Sequence, residues 1–165
     1  MSDAYVECLV QARSSMLFKF LQVVSIILTI VLAFFGIYFL WPALIVAVGT
    51  GVGAYFLYLN ADVEYEYLYL DKELTIDKVM AKSKRKRVGV FTLERMEVLA
   101  PVKSYHLDDY KNRNVKVLDY SIGVEEQPDL RYALYYEGGV KLILSPSEDL
   151  VKVMKNVAPR KVFTE

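Results

Sequence analysis

The densest cluster of charge in the chain is Lys82-Ser83-Lys84-Arg85-Lys86-Arg87, in which five of six residues are basic. Such a run can contact anionic lipid headgroups or hold a phosphorylated ligand, and each Lys or Arg near an anionic membrane contributes about 1 kcal/mol. It can equally serve only as a topology signal beside a membrane segment. Nucleic-acid binding is not expected, because no aromatic residue interleaves the run and 20 Lys and Arg are balanced by 20 Asp and Glu.

No other group of residues predicts catalysis, a cofactor or a metal. His106, the single histidine, lies beside Asp108 and Asp109, but a zinc site needs at least three converging ligands. Cys8, the single cysteine, has no partner for an internal disulfide and is expected to be a small apolar residue. The chain also lacks a Ser-His-Asp arrangement and a glycine-rich phosphate loop that follows a strand. We therefore expect a protein that is not an enzyme.

A second spacing of interest is Gly49 with Gly53, a Gly-x-x-x-Gly pair inside an uncharged segment. Small residues at this spacing let two helix backbones approach closely in lipid. The partner helix is either the preceding apolar helix, where Gly36 would help, or the same helix in a second copy of the chain. The pair is the candidate helix-packing site.

The uncharged segment 20–61 must position the basic run. A single helix over these residues would be about 60 Å long, twice the roughly 30 Å of a hydrocarbon core. Trp41-Pro42 provides a break near the middle, so we predict a membrane hairpin over residues 17–61 with helices at 17–39 and 42–59. No small-residue cleavage site precedes the break, which disfavours a signal peptide.

Basic residues flank both ends of this hairpin, and its turn carries no charge. The positive-inside rule then predicts a multi-pass protein of the cytoplasmic membrane with both termini in the cytoplasm. The N-terminal segment 1–16 is amphipathic, with Tyr5, Val6, Leu9 and Val10 at helical spacing and Asp3 as a candidate N-cap. We predict a helix there, which lies either in the membrane interface or against the soluble domain.

From residue 62 the apolar pattern changes to the alternation that is typical of strands. In the run 63–69 the odd-numbered residues share one face, and Glu64 and Glu66 point the other way. Turns at Asp71-Lys72 and Gly138-Gly139, an acidic loop at 125–129 and several further apolar runs divide the remainder. We predict about six or seven mostly antiparallel strands in a domain that spans residues 62–165.

The C-terminal part of this domain begins with a helix signal. Ser145-Pro146-Ser147-Glu148 is a capping box with proline at the first helical position, which predicts a helix at 146–157. Phe163, beyond the helix, either packs back onto the domain or belongs to a docking peptide or a frayed tail. The predicted fold class is a membrane α-helical hairpin plus a small α+β domain, whose strands and final helix follow the order of a pleckstrin-homology (PH)-like barrel.

Three stretches resemble an uncharacterised family of small two-span bacterial membrane proteins, a domain of unknown function. They are Tyr5-Val6-Glu7-Cys8-Leu9-Val10, the run from Val63 to Lys78, and Pro159-Arg160-Lys161-Val162-Phe163. The resemblance implies a bacterial source and the same layout of hairpin and β-rich domain. It implies no activity, ligand or catalytic residue.

These observations predict a membrane-anchored, non-enzymatic binding or scaffolding module. Besides the lipid bilayer, its expected partner is another protein or a second copy of itself. The alternative is a reader of anionic lipid headgroups that acts through residues 82–87. An enzyme would need a polar pocket that the sequence does not indicate.

Overall fold

The computed structural model of the chain describes residues 5–12, 16–123 and 129–165. Over these residues the chain divides into two compact units. One is a helical unit of residues 16–63 and 80–84, and the other is a β-rich unit made of the rest.

The helical unit contains α1 at Met16–Tyr38 and α2 at Ala43–Ala61. Their mean hydropathies are 2.6 and 1.6, and both helices are long and apolar enough to cross a bilayer. The chain breaks between them around Trp41-Pro42, where Pro42 caps α2 in a helical conformation. The two predicted apolar helices are confirmed, and their bounds lie within two residues of the predicted ones.

Small and hydroxyl-bearing residues mediate the contact between α1 and α2. Gly36 is buried, and a Cβ there would come within 2.9 Å of the backbone nitrogen of Leu44. The hydroxyl of Ser25 donates to the Thr50 carbonyl at 3.2 Å, and the Thr29 and Thr50 hydroxyls lie 3.0 Å apart. The hydroxyl groups of Ser25, Thr29 and Thr50 are thus hydrogen-bonded at the contact between the two helices.

The β-rich unit contains two four-stranded sheets. Sheet 1 has the order β1-β2-β3-β4, and its strands are β1 Val6–Gln11, β2 Val63–Leu70, β3 Glu73–Met80 and β4 Lys84–Thr92. Sheet 2 has the order β5-β7-β8-β6, with β5 Met96–Pro101, β6 Lys116–Asp119, β7 Tyr132–Tyr136 and β8 Val140–Leu144. Strand β6 runs parallel to β8, and β7 is antiparallel to both β5 and β8. The C-terminal helix α3 spans Glu148–Val157.

The segment before α1 is a strand, so the predicted amphipathic helix is wrong. Residues 6–11 pair antiparallel with β2, with Cys8 opposite Tyr67 and Gln11 opposite Glu64. The same residues also fit a period of two, and a lone helix of this length is marginal in water. As an edge strand, the segment can place every second side chain on the core, which favours the strand over the helix. The segment accordingly packs against the β-rich domain. Asp3 and Arg13 lie outside the described residues.

Helix α3 begins two residues later than predicted, at Glu148 rather than Pro146. Its N-cap is Ser147, whose hydroxyl accepts the Leu150 N–H at 3.3 Å. Ser145 is not the cap because other contacts occupy it: its hydroxyl accepts the Ile122 N–H, and its own N–H donates to the Tyr67 hydroxyl.

The core of the β-rich unit lies between the two sheets and α3. Tyr67, Leu74 and Leu142 are fully buried there, and Leu150 and Met154 cover them from α3. The Tyr67 hydroxyl donates to the Tyr120 carbonyl, and burial raises the pKa of this phenol far above its ordinary value. The prediction of a β-rich domain closed by a C-terminal helix is confirmed, with β1 as an additional strand.

Candidate functional site

The basic run occupies the turn between β3 and β4 and the first half of β4. Ala81 and Lys82 form the turn with φ of 48° and 54°, a backbone region that non-glycine residues rarely adopt. The side chains of residues 84–87 are exposed. Because β4 is the last strand in the order of sheet 1, these side chains line a sheet edge.

The two arginines of the run are bound to buried carboxylates of neighbouring strands. The Arg85 Nη2 atom lies 2.8 Å from Glu66 Oε2, and the Arg87 Nε atom lies 3.6 Å from Asp77 Oδ1. The carboxylate side chains are only 5% and 7% exposed, whereas the arginine side chains are 58% and 67% exposed. A buried carboxylate without an opposite charge is costly, so these arginines stabilise sheet 1.

A hydrogen-bonded carboxyl pair extends this ion cluster to β1. Burial, together with a hydrogen bond to Glu7, raises the pKa of Glu66, and Arg85 opposes the shift. The pKa of Glu7 is lowered by its hydrogen bonds with Tyr5 and Glu66. The Tyr5 hydroxyl donates to Glu7 Oε2 at 2.8 Å. All four strands of sheet 1 therefore contribute a charged side chain to its outer face.

The three lysines of the run have no carboxylate partner among the described residues. The Lys84 ammonium lies 5.2 Å from the ring centroid of Tyr55, which is a cation–π distance. The turn beside it is held by the Ala81 N–H, which donates to the Asp62 carbonyl at 2.8 Å. Within the described residues, the side chains of Lys82 and Lys86 make neither an ion pair nor a hydrogen bond. The five basic residues of the run therefore differ in their contacts: the two arginines are paired with carboxylates, and the three lysines are not.

An open groove of about 660 Å³ lies on the outer face of sheet 1. Its lining includes Tyr5, Leu68, Leu70, Thr75, Arg85 and Arg87. Tyr5 is 56% exposed and Leu70 is 50% exposed. Its volume lies within the roughly 300–1,000 Å³ of ligand pockets, and Tyr and Arg are residues that protein interfaces favour.

The predicted glycine pair does not take part in the contact between α1 and α2. A Cβ at Gly49 or Gly53 would meet no atom within 4 Å. Gly36 and Gly51 face the partner helix instead, since a Cβ at Gly51 would lie 3.5 Å from Thr29. Packing of the pair on the first helix is therefore not observed.

His106 contacts aromatic side chains. Its ring stacks on Phe163 at 3.7 Å between centroids, and the Tyr105 ring lies 4.0 Å away. Over residues 5–12, 16–123 and 129–165, no group of three His, Cys, Asp or Glu is placed to hold a metal ion. The contact with His106 also confirms that Phe163 packs back onto the domain.

Sequence reasoning missed the two ion pairs beneath the basic run. The alternation of Glu64 and Glu66 with tyrosines was visible and indicated a solvent-facing row of acids. The pairing with Arg85 and Arg87 depends on which strands become neighbours, which the local pattern does not show. The Lys and Arg alternation from residue 84 to residue 87 was the available signal that the run has two faces.

Residues 2–164 match a family described as "Bacterial PH-like domain (DUF6106)". The chain belongs to this family. The resemblance drawn from the sequence, to an uncharacterised bacterial family with a PH-like domain, is thereby confirmed. No curated protein and no solved structure matches the chain.

Membership in the PH-like family has a structural consequence for the hairpin. The match covers α1 and α2 as well as both sheets, so the helices belong to the pattern of the family. Within this PH-like domain, β1 precedes the hairpin and β2 follows it, and the two strands pair directly. The family description states a fold and assigns no activity.

Proposed function

We propose that the chain is a non-enzymatic binding module anchored in the cytoplasmic membrane of a bacterium. In this proposal α1 and α2 hold the module in the bilayer, and the PH-like domain binds a protein partner through the β4 side of sheet 1. The observation that carries the proposal is the exposed, cationic edge strand β4, whose arginines are fixed by Glu66 and Asp77.

The anchoring rests on the length and surface of the two helices. They contain 23 and 19 residues, close to the roughly 20 that cross a hydrocarbon core. Their outward side chains are apolar and exposed, including Ile37, Val46 and Phe56. Since Gln11 pairs with Glu64, the chain leaves the domain and returns to it at neighbouring points, which supports placing both ends of the hairpin on one side of the membrane. The basic residues at both ends of the hairpin support a cytoplasmic placement of that side under the positive-inside rule.

The binding role rests on the surface of sheet 1. Large apolar side chains are exposed next to charged ones on its outer face, with Leu9 at 59% and Tyr5 at 56%. Their neighbours Arg85 and Arg87 form ion pairs with Glu66 at 2.8 Å and with Asp77 at 3.6 Å, so a partner would meet apolar and cationic side chains together.

Site-specific photo-crosslinking in the full-length chain tests this proposal. A photoreactive phenylalanine analogue replaces Val90 on β4, which is 43% exposed, or Val117 on β6, which is 56% exposed. We expect crosslinks to protein from position 90 and few from position 117. Equal yields at the two positions, or crosslinks to lipid alone, would contradict a protein site on the β4 side.

Contact with anionic lipid is a second candidate function, favoured by the position of Lys84 over the Tyr55 ring. Tyrosines near the end of a membrane helix favour the headgroup region, so Lys82 and Lys84 would meet phosphates there. The test places a spin label at Ser83 in the full-length chain, with Cys8 replaced by alanine, in neutral and in anionic nanodiscs. We expect slower label motion only in anionic lipid and loss of the effect with Lys82→Gln and Lys84→Gln. Identical spectra in the two lipids would remove this candidate.

A further inference from the structure

We infer that the free edge of β4 is a docking site for an extended, acidic protein segment, which adds to sheet 1 as a further strand. This inference rests on the proposed binding function and names the chemistry of the partner. Three features of β4 carry it: an unpaired backbone edge, a charge pattern that selects one class of strand, and a fixed position in the sheet.

The backbone edge of β4 is open. Sheet 1 ends at β4, and within the described part of the chain no strand pairs with its other side. The strand is nine residues long, at the upper end of common strand lengths. An edge strand presents a row of unpaired N–H and C=O groups, which is a template for another extended segment. Its exposed first half gives a partner room to approach.

The charges of β4 exclude one partner and favour another. Residues 84–87 are all cationic, so a second copy of β4 would place like charges opposite each other and would be repelled. Such cations are the usual protection of an edge against self-pairing. The same charges attract a strand that carries carboxylates.

The ion pairs to Glu66 and Asp77 separate the cations into two sets. Arg85 and Arg87 already bind carboxylates of sheet 1. Lys84 and Lys86 lie on the opposite face of the strand, because successive side chains alternate, and neither has a carboxylate partner among the described residues. A docked segment would supply those carboxylates at two alternate positions.

The second half of β4 packs on the core and adds an apolar side chain to the surface that a docked segment would meet. The Phe91 ring packs edge-to-face on Tyr136 at 5.3 Å, and it lies so close to Gly89 that a Cβ there would be 2.5 Å from the ring. The strand is therefore held to the core at this end. Val90, next to Phe91 in the strand, points away from this core contact and is 43% exposed. The expected segment carries acidic residues opposite the lysines and an apolar residue near Val90.

A labelled heptapeptide of alternating glutamate and valine is the probe, and fluorescence anisotropy with the full-length chain in neutral nanodiscs is the measurement. Two control peptides accompany it, one with lysine in place of glutamate and one with N-methylated backbone at alternate residues. We expect the acidic peptide to bind and both controls to bind at least about tenfold more weakly, since one loses the charge pairs and the other the backbone hydrogen bonds.

Two protein variants locate the site. Lys84→Gln with Lys86→Gln should weaken binding of the acidic peptide several-fold, whereas Lys152→Gln with Lys155→Gln, two exposed lysines of α3, should leave it unchanged. Equal binding of the N-methylated peptide, or equal loss in the two variants, would overturn strand addition at β4. Crosslinks to protein from position 90 would then still support the proposed function, so the two failures are distinguishable. A response of the Ser83 label to anionic lipid without peptide binding would overturn the inference in favour of a lipid contact.

Discussion

The edge strands β5 and β4 of the β-rich domain differ in how their outer backbone edges are covered. The outer edge of β5 is covered by the chain itself, because the Leu99 N–H donates to the Lys161 carbonyl at 2.7 Å and the Phe163 N–H donates to the Leu99 carbonyl at 2.8 Å. Val162 between them is fully buried. The edge of β4 has no such cover within the described residues and carries four consecutive cations instead. The tail that covers β5 is only a few residues long, so the edge of β4 differs from the edge of β5 in being open.

The largest effect should come from breaking the covered edge with Val162→Asp. This change places a carboxylate in a site that is 0% exposed, and we expect a loss of about 3 kcal/mol or more in the free energy of unfolding. Urea denaturation of the chain in detergent, followed by circular dichroism of the β-rich unit, measures it. Thr164→Asp is the matched control, since Thr164 is exposed, and it should cost much less. Equal losses of stability in the two variants would show that residues 161–163 do not protect the edge of β5.

A smaller loss of stability is expected when an arginine of β4 is replaced, and almost none when a lysine is replaced. Arg85→Gln leaves Glu66 buried without an opposite charge, and we expect a loss of about 1–2 kcal/mol, reduced from the value for fully buried pairs because Arg85 is 58% exposed. Lys86→Gln should stay within about 0.5 kcal/mol. The double change Arg85→Gln with Glu66→Gln should recover part of the loss. If the two single variants unfold at the same denaturant concentration, the division of the run into two sets is wrong.

The two sheets should also respond to pH in opposite directions. Just before β7 of sheet 2, Arg131 holds the pKa of Asp129 below its ordinary value through hydrogen bonds of 2.9 Å to both carboxylate oxygens. This contribution is present above the ordinary pKa of about 3.9 and is lost as the pH falls through the folded-state pKa. We expect Asp129→Asn to cost about 1–2 kcal/mol at pH 7 and progressively less below pH 4. A cost that does not change with pH would contradict the ion pair.

In sheet 1 the sign is reversed, because the pKa of Glu66 is raised. The protein then loses stability as the pH rises from the ordinary pKa of about 4.3 through the folded-state value, when the buried carboxyl ionises. Glu66→Gln does not ionise there, so its melting temperature relative to wild type should be higher at pH 7 than at pH 4. Thermal unfolding at the two pH values measures this difference, and a relative melting temperature that falls with pH would refute it.

The smallest effect on stability is expected at an open surface of the other unit. Gly49→Leu with Gly53→Leu should leave the melting temperature of the hairpin nearly unchanged, since a Cβ at either site meets no atom within 4 Å. If the pair joins two copies of the chain, the variant should lower energy transfer between labelled copies in vesicles. Val48→Leu, on an exposed neighbour, is the matched control. Unchanged transfer would rule the glycine pair out as a contact between copies.

The elements that were predictable have local signatures. The two apolar helices follow from the length of segment 20–61 and the break at Trp41-Pro42, and the β-rich domain follows from alternation and glycine turns. Strand β1 was not predictable, because six residues fit two periods and the deciding partner, β2, lies beyond the hairpin in sequence. Likewise Ser145 matched a capping pattern but is occupied by Tyr67 and Ile122, which only the folded chain brings near.

The presence of the basic run was predictable from the sequence, but the contacts of its side chains were not. Its position after the hairpin and its charge are properties of the sequence. Its division into arginines that serve the sheet and lysines that remain available depends on β4 lying beside β3 and near β2. These contacts join residues 19 positions apart, Arg85 and Glu66, and 10 positions apart, Arg87 and Asp77, and local patterns do not show them.

The pairing of β1 with β2 also sets an order of events during synthesis. Gln11 and Glu64 are neighbours in the sheet but 53 positions apart in the chain, 64 minus 11. At about 5–20 residues per second, β1 waits roughly 3–10 s after its own synthesis before its partner strand exists. In the proposed membrane-anchored arrangement, α1 and α2 would enter the bilayer within this interval. A chain whose second helix failed to insert would then hold β2 on the other side of the membrane from β1, which would stay an unpaired strand and a target for proteases. Under that proposal, sheet 1 could be completed only after both helices had inserted.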